Sequence, residues 1–386
     1  MKSRERLSRT FYGGKPDRTP ITLFITDTDI VDGLGDFVLK EKDGDSLNDL
    51  IKFHEILNID IMLRISTDIY EPLAFNLSNE QWKNIWEPLQ QCKYLVHKIV
   101  TPEGEIREVF NVGGEEFHGD YFKDWMKLRN IRIEAFIKTE KDLELIKKYR
   151  PPLPKYAFPN IAHAVDKLGD RGIVLPRASS SVFNYAAGLM NLEDLLIAPL
   201  LKSELYNQLM DLCLKDTSYI SSLVVKSGGD VVRVIGNIGN GGIVSNKFYL
   251  DYIYPYEKSL IYSITSSGGK ILFHNCGKCL SLLPIYNEML DGHALESLST
   301  SDTGGDITSL NQARKLLSNN IVMIGNFDQI QLLRNGNINQ IKQRVREIFT
   351  EIKNDDKFIF STSDSLIPGT PLENLKALID TCAELI

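Results

Sequence analysis

Cysteine and histidine are scarce in this chain, with 5 and 6 among 386 residues. The cysteine number is odd, and Cys92, Cys213, Cys276, Cys279 and Cys382 are widely spread with no secretion signal before them. A disulfide framework is therefore not expected, and the thiols should be reduced and available. No apolar run approaches the ~20 residues that a spanning helix needs. The charged start MKSRERLSRTFYGGKPDR has no apolar stretch behind it, so a cytoplasmic protein without a membrane partner is expected. Clusters of Lys and Arg are also missing and the formal net charge is -7. Nucleic acid and anionic membrane surfaces are thus poor partners. Internal repeats and low-complexity segments are absent.

What is present describes a globular protein of enzyme size: 43% apolar residues, 25% charged residues and 15 scattered prolines. Short strand-like runs (21–26, 59–64, 173–176, 230–235, 271–274, 294–298, 321–325 and 358–361) alternate with helical patterns (44–57, 192–226, 246–267, 279–290, 308–317, 337–353 and 371–385). Runs such as VVRVI, IVMIG and FIF are nearly continuous in apolar character, as when both faces of a parallel sheet are covered. Eight βα units point to an α/β fold of the (β/α)8 TIM-barrel type, one domain over 1–386. An insertion at about 65–170 interrupts the alternation. It carries a hairpin, YLVHKIV and EIREVFNV about a turn at 101–104, and a proline-dense segment, PPLPKYAFP, and it reads as a cap over one barrel mouth.

The densest chemistry lies in KILFHNCGKC, residues 270–279. Alternate residues of a strand project from the same side, so His274 and Cys276 can reach one point at the strand's end. An imidazole and a thiolate converging there are first-row metal ligands, zinc first among the candidates. The plainer reading makes Cys276 a small buried hydrophobe and His274 a hydrogen-bonded wall residue. In a barrel of this kind chemistry gathers at the C-terminal strand ends. Five of them carry Asn, Asp, His, Cys or Gly: GNIGNGG (236–242), HNCGKC (274–279), STSDTGGD (299–306), GNFDQ (325–329) and STSD (361–364). Asn237, Asp306 and Asp328 are the candidate catalytic residues, although Asp306 and Asp328 are equally placed to cap helices.

These residues carry a resemblance. FYGGKPDRTP (11–20) resembles the G-x-x-P-D-R-x-P opening of the uroporphyrinogen decarboxylase superfamily, and the likeness continues through PYEKSLIYSITSSGGKILFHNCG, IGNFDQIQLLRNG and PLENLKALID. Within it the chain looks more like the corrinoid-dependent methyltransferases, including methylcobamide:coenzyme M methyltransferases and the methoxyl demethylases of acetogenic bacteria. The decarboxylases grip their substrate's carboxylates with an Arg-rich loop after the first strand; here that place reads FITDTDIVDG, acidic and without arginine, which would repel a polycarboxylate. The methyltransferase branch has the H-x-C pair, matched by His274 and Cys276. Its third ligand is a cysteine shortly before T-P-L-E-N, where this chain has Asp364 ahead of 370–374. Cys279 is the alternative third ligand. A further acidic ligand is often found after the fourth strand, where only Asn237 and Asn240 stand.

The resemblance implies one Zn2+ per chain and a methyl group moving between a small methylated or methoxylated substrate, or a thiol, and the cobalt of a separate corrinoid protein. A hard Asp364 ligand favours an oxygen-bound substrate, such as a methoxylated aromatic, over a thiol. No D-x-H-x-x-G stretch surrounds any histidine, so the corrinoid is expected on a small partner protein. Gly239, Gly241 and Gly304 would permit close approach of its flat ring, or simply provide loop flexibility. A decarboxylase-like lyase and a non-catalytic barrel that binds a ligand or a corrinoid protein remain as alternatives.

Overall fold

The computed structural model describes residues 1–31, 38–39, 45–66, 78–91, 93–113, 131–153, 155 and 158–386. Among them eleven strands form two sheets. β1 (Ile61–Ile65) is followed by β2 (Lys83–Leu89), β3 (Tyr94–Thr101), β4 (Gly104–Asn111) and β5 (Arg132–Glu134), which pair in that order as an antiparallel sheet. Then come β6 (Gly172–Ser180), β7 (Val232–Ile235), β8 (Ile271–Asn275), β9 (Ala294–Ser297), β10 (Val322–Phe327) and β11 (Phe358–Thr362). Together with β1 they form a seven-stranded sheet in the order β1-β6-β7-β8-β9-β10-β11, with its registered pairs parallel. Every residue of β1, β8, β9, β10 and β11 is buried. That is why their sequences show no alternation.

The eighth strand expected at 21–26 is present only as isolated bridges, Ile21 to Phe360 and Thr26 to Arg64. A segment this short reaches both edge strands, β11 and β1, so the sheet curls on itself. A short backbone ladder to β11 remains, with Thr22 N–H donating to Phe360 O and Phe360 N–H to Pro20 O (both 2.9 Å), and side chains extend it: Ile21 N–H donates to Asp60 Oδ2 (3.0 Å) and Phe24 N–H to Thr362 Oγ1 (3.1 Å).

Two layers stack along the concave face. The lower is apolar: Met62, Ile173, Leu175, Val231, Leu272, Ala294, Val322, Ile324 and Ile359 meet Leu7 and Phe11 of the helix Ser3–Tyr12. Only a concave face lets two side chains of one helix join residues from so many strands. Two residues further along the strands, and so on the same face, stand Arg64, Arg177, Arg233, His274 and Glu296. The P-D-R signature secures the plug beneath them. Asp17 accepts from Arg6 Nε at 2.7 Å, and Arg18 lies 3.2 Å from Asp60, just ahead of β1.

The helices begin where capping residues stand. Asp45 accepts from the N–H groups of Leu47 and Asn48 ahead of Ser46–Ile56, and Asn337 with Gln340 forms a capping box for Ile338–Glu351. The latter buries Ile341, Val345 and Ile348, one stripe at helical spacing.

The chain divides into two compact units. Met1–Asp68, Tyr156–Ser179 and Ser218–Ile386 contain the seven-stranded sheet; Ile69–Lys155 and Ser180–Thr217 contain the antiparallel one. The hairpin expected about 101–104 is β3 and β4, closed by Thr101 Oγ1 donating to Gly104 O at 2.7 Å. The smaller unit takes in 180–217 as well, a stretch whose helical pattern the sequence does not separate from the βα alternation.

Candidate metal centre

His274 is the fourth residue of β8, and Cys276 follows that strand's end. Nδ1 of His274 lies 3.1 Å from Glu296 Oε2 and 3.2 Å from Ser297 Oγ. An ionised carboxylate only accepts, so Nδ1 carries its proton and Nε2 is the nitrogen available as a ligand. Asn237, after β7, directs its amide toward Cys276 Sγ at 3.8 Å. Asp364, beyond β11, accepts from Ser365 N–H at 2.8 Å through Oδ1. One donor atom from each of His274, Cys276 and Asp364 lies within 4.8 Å of the other two. Ligands on a tetrahedral zinc, bonded at about 2.0–2.3 Å, stand roughly 3.5 Å from one another. Small side-chain rotations therefore close this set on one ion, and its nitrogen, sulfur and oxygen donors are ones that zinc accepts.

Glu296 organises the ground beneath the three donors. It is fully buried and bonded to Arg64, and its Oε2 lies 3.3 Å from Arg233 Nε. Burial alone would raise its pKa. The Arg64 and Arg233 guanidiniums and the His274 imidazole outweigh that and hold its carboxyl well below the usual range. Burial likewise works to lower the pKa of His274, but its hydrogen bonds to Cys276 and Glu296 push it up to about 9. A metal held at Nε2 would take the place of that nitrogen's proton. Phe24 packs beside all of these groups: its ring lies edge-on to His274 at 5.5 Å, with the Arg64 and Arg233 guanidiniums 4.7 and 4.5 Å from its centroid.

The other candidates occupy different places. Asp306 Oδ1 accepts from the N–H groups of Cys279 and Leu280 (2.8 and 2.9 Å), tying down the loop that follows Cys276. Asp328 accepts from Ile330 and Gln331 N–H through Oδ1 (2.7 and 2.8 Å) as a helix cap, while Oδ2 is buried without a partner among the described residues. Gly304 is left-handed (φ +86°) and ends a turn, Gly239 is buried in the short turn Asn237–Gly239, and Gly241 N–H donates to Lys278 O at 2.7 Å. Cys279 is outside the three-donor group; burial first, then Asp306 and Cys276, push its thiol pKa far up. Glu296, Arg64 and Arg233 are not singled out by motif reading. Their signal is a charge inside an otherwise apolar strand: ALES, IMLRI and VRVI.

The model of the uroporphyrinogen decarboxylase (URO-D) family matches residues 125–385. The chain belongs to this family. Its relatives fall on both sides of it. Methylcobamide:CoM methyltransferase MtbA of Methanosarcina mazei is 21% identical over 254 residues, 65% of this chain and 70% of that protein. Uroporphyrinogen decarboxylase of Syntrophotalea carbinolica is 29% identical over 184 residues, 46% of this chain and 48% of that protein. A solved methyltransferase from Methanosarcina mazei superposes with a TM-score of 0.64 over 100% of this chain and 99% of its own, at 15% identity. That likeness establishes the shared α/β fold.

Proposed function

We propose that the chain is a methyltransferase that moves a methyl group between a small methylated or methoxylated substrate and the cobalt of a separate corrinoid protein. The observation that carries this reading is the convergence of His274, Cys276 and Asp364 within 4.8 Å, in a family whose relatives include methylcobamide:CoM methyltransferases. Zinc held by these three residues would act as a Lewis acid toward the atom that loses or takes the methyl group, its fourth position open to substrate. The protein's own part is positional. Glu296 fixes the ring of His274, the Asn237 amide points at Cys276 Sγ, and Arg64, Arg233 and Glu296 hold one another in place beneath the donors because their charges are cross-bonded. Asp364, harder than a thiolate, favours an oxygen-bound methyl group.

The test is the visible spectrum of a reduced corrinoid protein mixed with the zinc-loaded chain and a panel of methoxylated compounds. Methylation of the corrinoid is the expected result. A panel without reaction, beside methyl transfer from the methylated corrinoid to a thiol, would reverse the direction. A second reading, a lyase acting on a carboxylated substrate, is favoured by the buried Arg64 and Arg233. It requires release of carbon dioxide from a porphyrinogen carboxylate without any corrinoid.

A further inference from the structure

We infer that Arg233 is the anchor for an anionic group of the small substrate, so that the compounds handled are methylated or methoxylated acids rather than neutral molecules. This deepens, and rests on, the methyl-transfer reading of the same site. Three observations lead to it. First, Arg64 and Arg233 share one carboxylate, Glu296, which also takes the Nδ1 proton of His274. Two guanidiniums on one carboxylate leave a buried surplus of positive charge, costly without an anion. Second, the two arginines are fixed differently. Arg64 spends its terminal nitrogens on Leu23 O (3.0 Å) and Glu296. Arg233 gives only Nε, to Glu296 at 3.3 Å, and its terminal nitrogens have no hydrogen-bond partner among the described residues, with 8% of the side chain exposed. A planar fork with free donors matches a carboxylate or sulfonate in two parallel bonds.

Third, Arg233 is held in place beside the site. The Phe24 ring covers its guanidinium at 4.5 Å, and one carboxylate separates it from the metal-ligating ring of His274. An acid held there has its methyl-bearing end within a small molecule's length of His274, Cys276 and Asp364. Burial is the largest cause pulling the pKa of Arg233 down, with Arg64 and Arg177 adding to it against Glu296 and Asp364. A neutral substrate would leave the free donors of Arg233 without an anion, and a site that offers such donors discriminates against a ligand that lacks their partner.

The experiment is calorimetric binding, without a corrinoid protein, of 3-methoxybenzoate and methoxyacetate against methoxybenzene and 2-methoxyethanol. It is run on zinc-loaded and metal-depleted protein. The acids are expected to bind at least about tenfold more tightly than their neutral counterparts in both preparations, and Arg233→Gln should erase the difference. No preference for acids, a preference that survives Arg233→Gln, or one that needs zinc would overturn the inference; the last would mean that the acid is a metal ligand. If Arg233→Gln does not fold, Arg233→Lys keeps the charge and loses the fork. Its acid binding should fall several-fold, and unchanged binding is equally fatal. Binding is read here and methyl transfer only in the corrinoid assay, so acid preference here with no turnover there removes the methyl-transfer reading, whereas turnover there without acid preference here removes only this inference.

Discussion

The three donors of the metal centre differ in how much each contributes, and substitutions should rank them. Removing Cys276, the softest ligand, is expected to abolish zinc retention after dialysis, and His274→Ala should nearly do so, since two remaining donors make a weak site. Asp364→Asn exchanges an anionic ligand for a neutral amide and should lower zinc content partially. Cys279→Ser should leave the metal in place, because that thiol is outside the donor group. Zinc per chain is the measurement, and a metal-free Cys279→Ser protein beside a fully loaded Asp364→Asn protein would move the third ligand to Cys279. Glu296→Gln removes the charge that orients His274, and zinc affinity should drop about 10- to 100-fold, with a loss of stability as well because Arg64 and Arg233 lose their shared counter-ion.

A second residue-scale prediction concerns acid. Burial lowers the pKa of His54 to about 4, and burial with the neighbouring Lys270 does the same for His293, against about 6.5 in an unfolded chain. The unfolded state therefore takes up protons first as pH falls. The stability these neutral rings provide is complete above about 6.5 and is lost progressively toward pH 4, by roughly 3 kcal/mol for the wholly buried His54. His274 has the opposite shift, so its contribution does not change in that window. Urea midpoints of metal-depleted protein should fall steadily from pH 6.5 to pH 4. A flat profile down to pH 4.5 would contradict the neutral, buried state of both rings.

Among the elements, the helix Ser3–Tyr12 is the one whose importance its sequence understates. SRERLSRTFY is charged and only weakly apolar, yet Leu7 and Phe11 are 0% and 1% exposed and join the core beneath the charged layer. Phe11→Ala should cost about 3–5 kcal/mol, the range for emptying a buried aromatic site. A loss under about 1 kcal/mol in denaturant unfolding would show that this helix does not plug the sheet. Most strands of the seven-stranded sheet are legible to within two residues because they are continuous apolar runs, whereas β6 runs four residues beyond the expected 176, through the polar Arg177 and Ser179–Ser180. The segment 21–26 also reads as a strand from its apolar run, but it keeps only a short backbone pairing with Phe360, and the Asp60 and Thr362 side chains take up its N–H groups at Ile21 and Phe24.

For the whole molecule, zinc binding and stability must be linked, since an ion held by His274 of β8, Cys276 just after it and Asp364 beyond β11 can bind only when those distant segments are brought together. With free zinc at about 100 times its dissociation constant the folded state gains about 2.7 kcal/mol. The thermal midpoint should rise with zinc for the wild-type chain and stay fixed for Cys276→Ser. An equal rise in both would place the effect elsewhere. The described residues contain no helix long and apolar enough to cross a membrane, consistent with the chain's lack of long apolar runs.

The sequence by itself determined the α/β alternation, the hairpin about 101–104, the H-x-C pair and the family, because these depend on local periodicity and on residues close together in the chain. Only the tertiary structure decided which groups meet. Asp364 is 88 positions beyond Cys276; its place ahead of T-P-L-E-N marks it by resemblance, but only the fold brings its carboxylate within 4.8 Å of the His274 and Cys276 donors. Glu296, Arg64 and Arg233 come from three different strands, and their shared layer exists because a curled sheet turns the same register position of each strand toward one centre. Charge in an apolar strand marks such residues singly. What they bond to is set by packing, where burial makes each ion's partner obligatory.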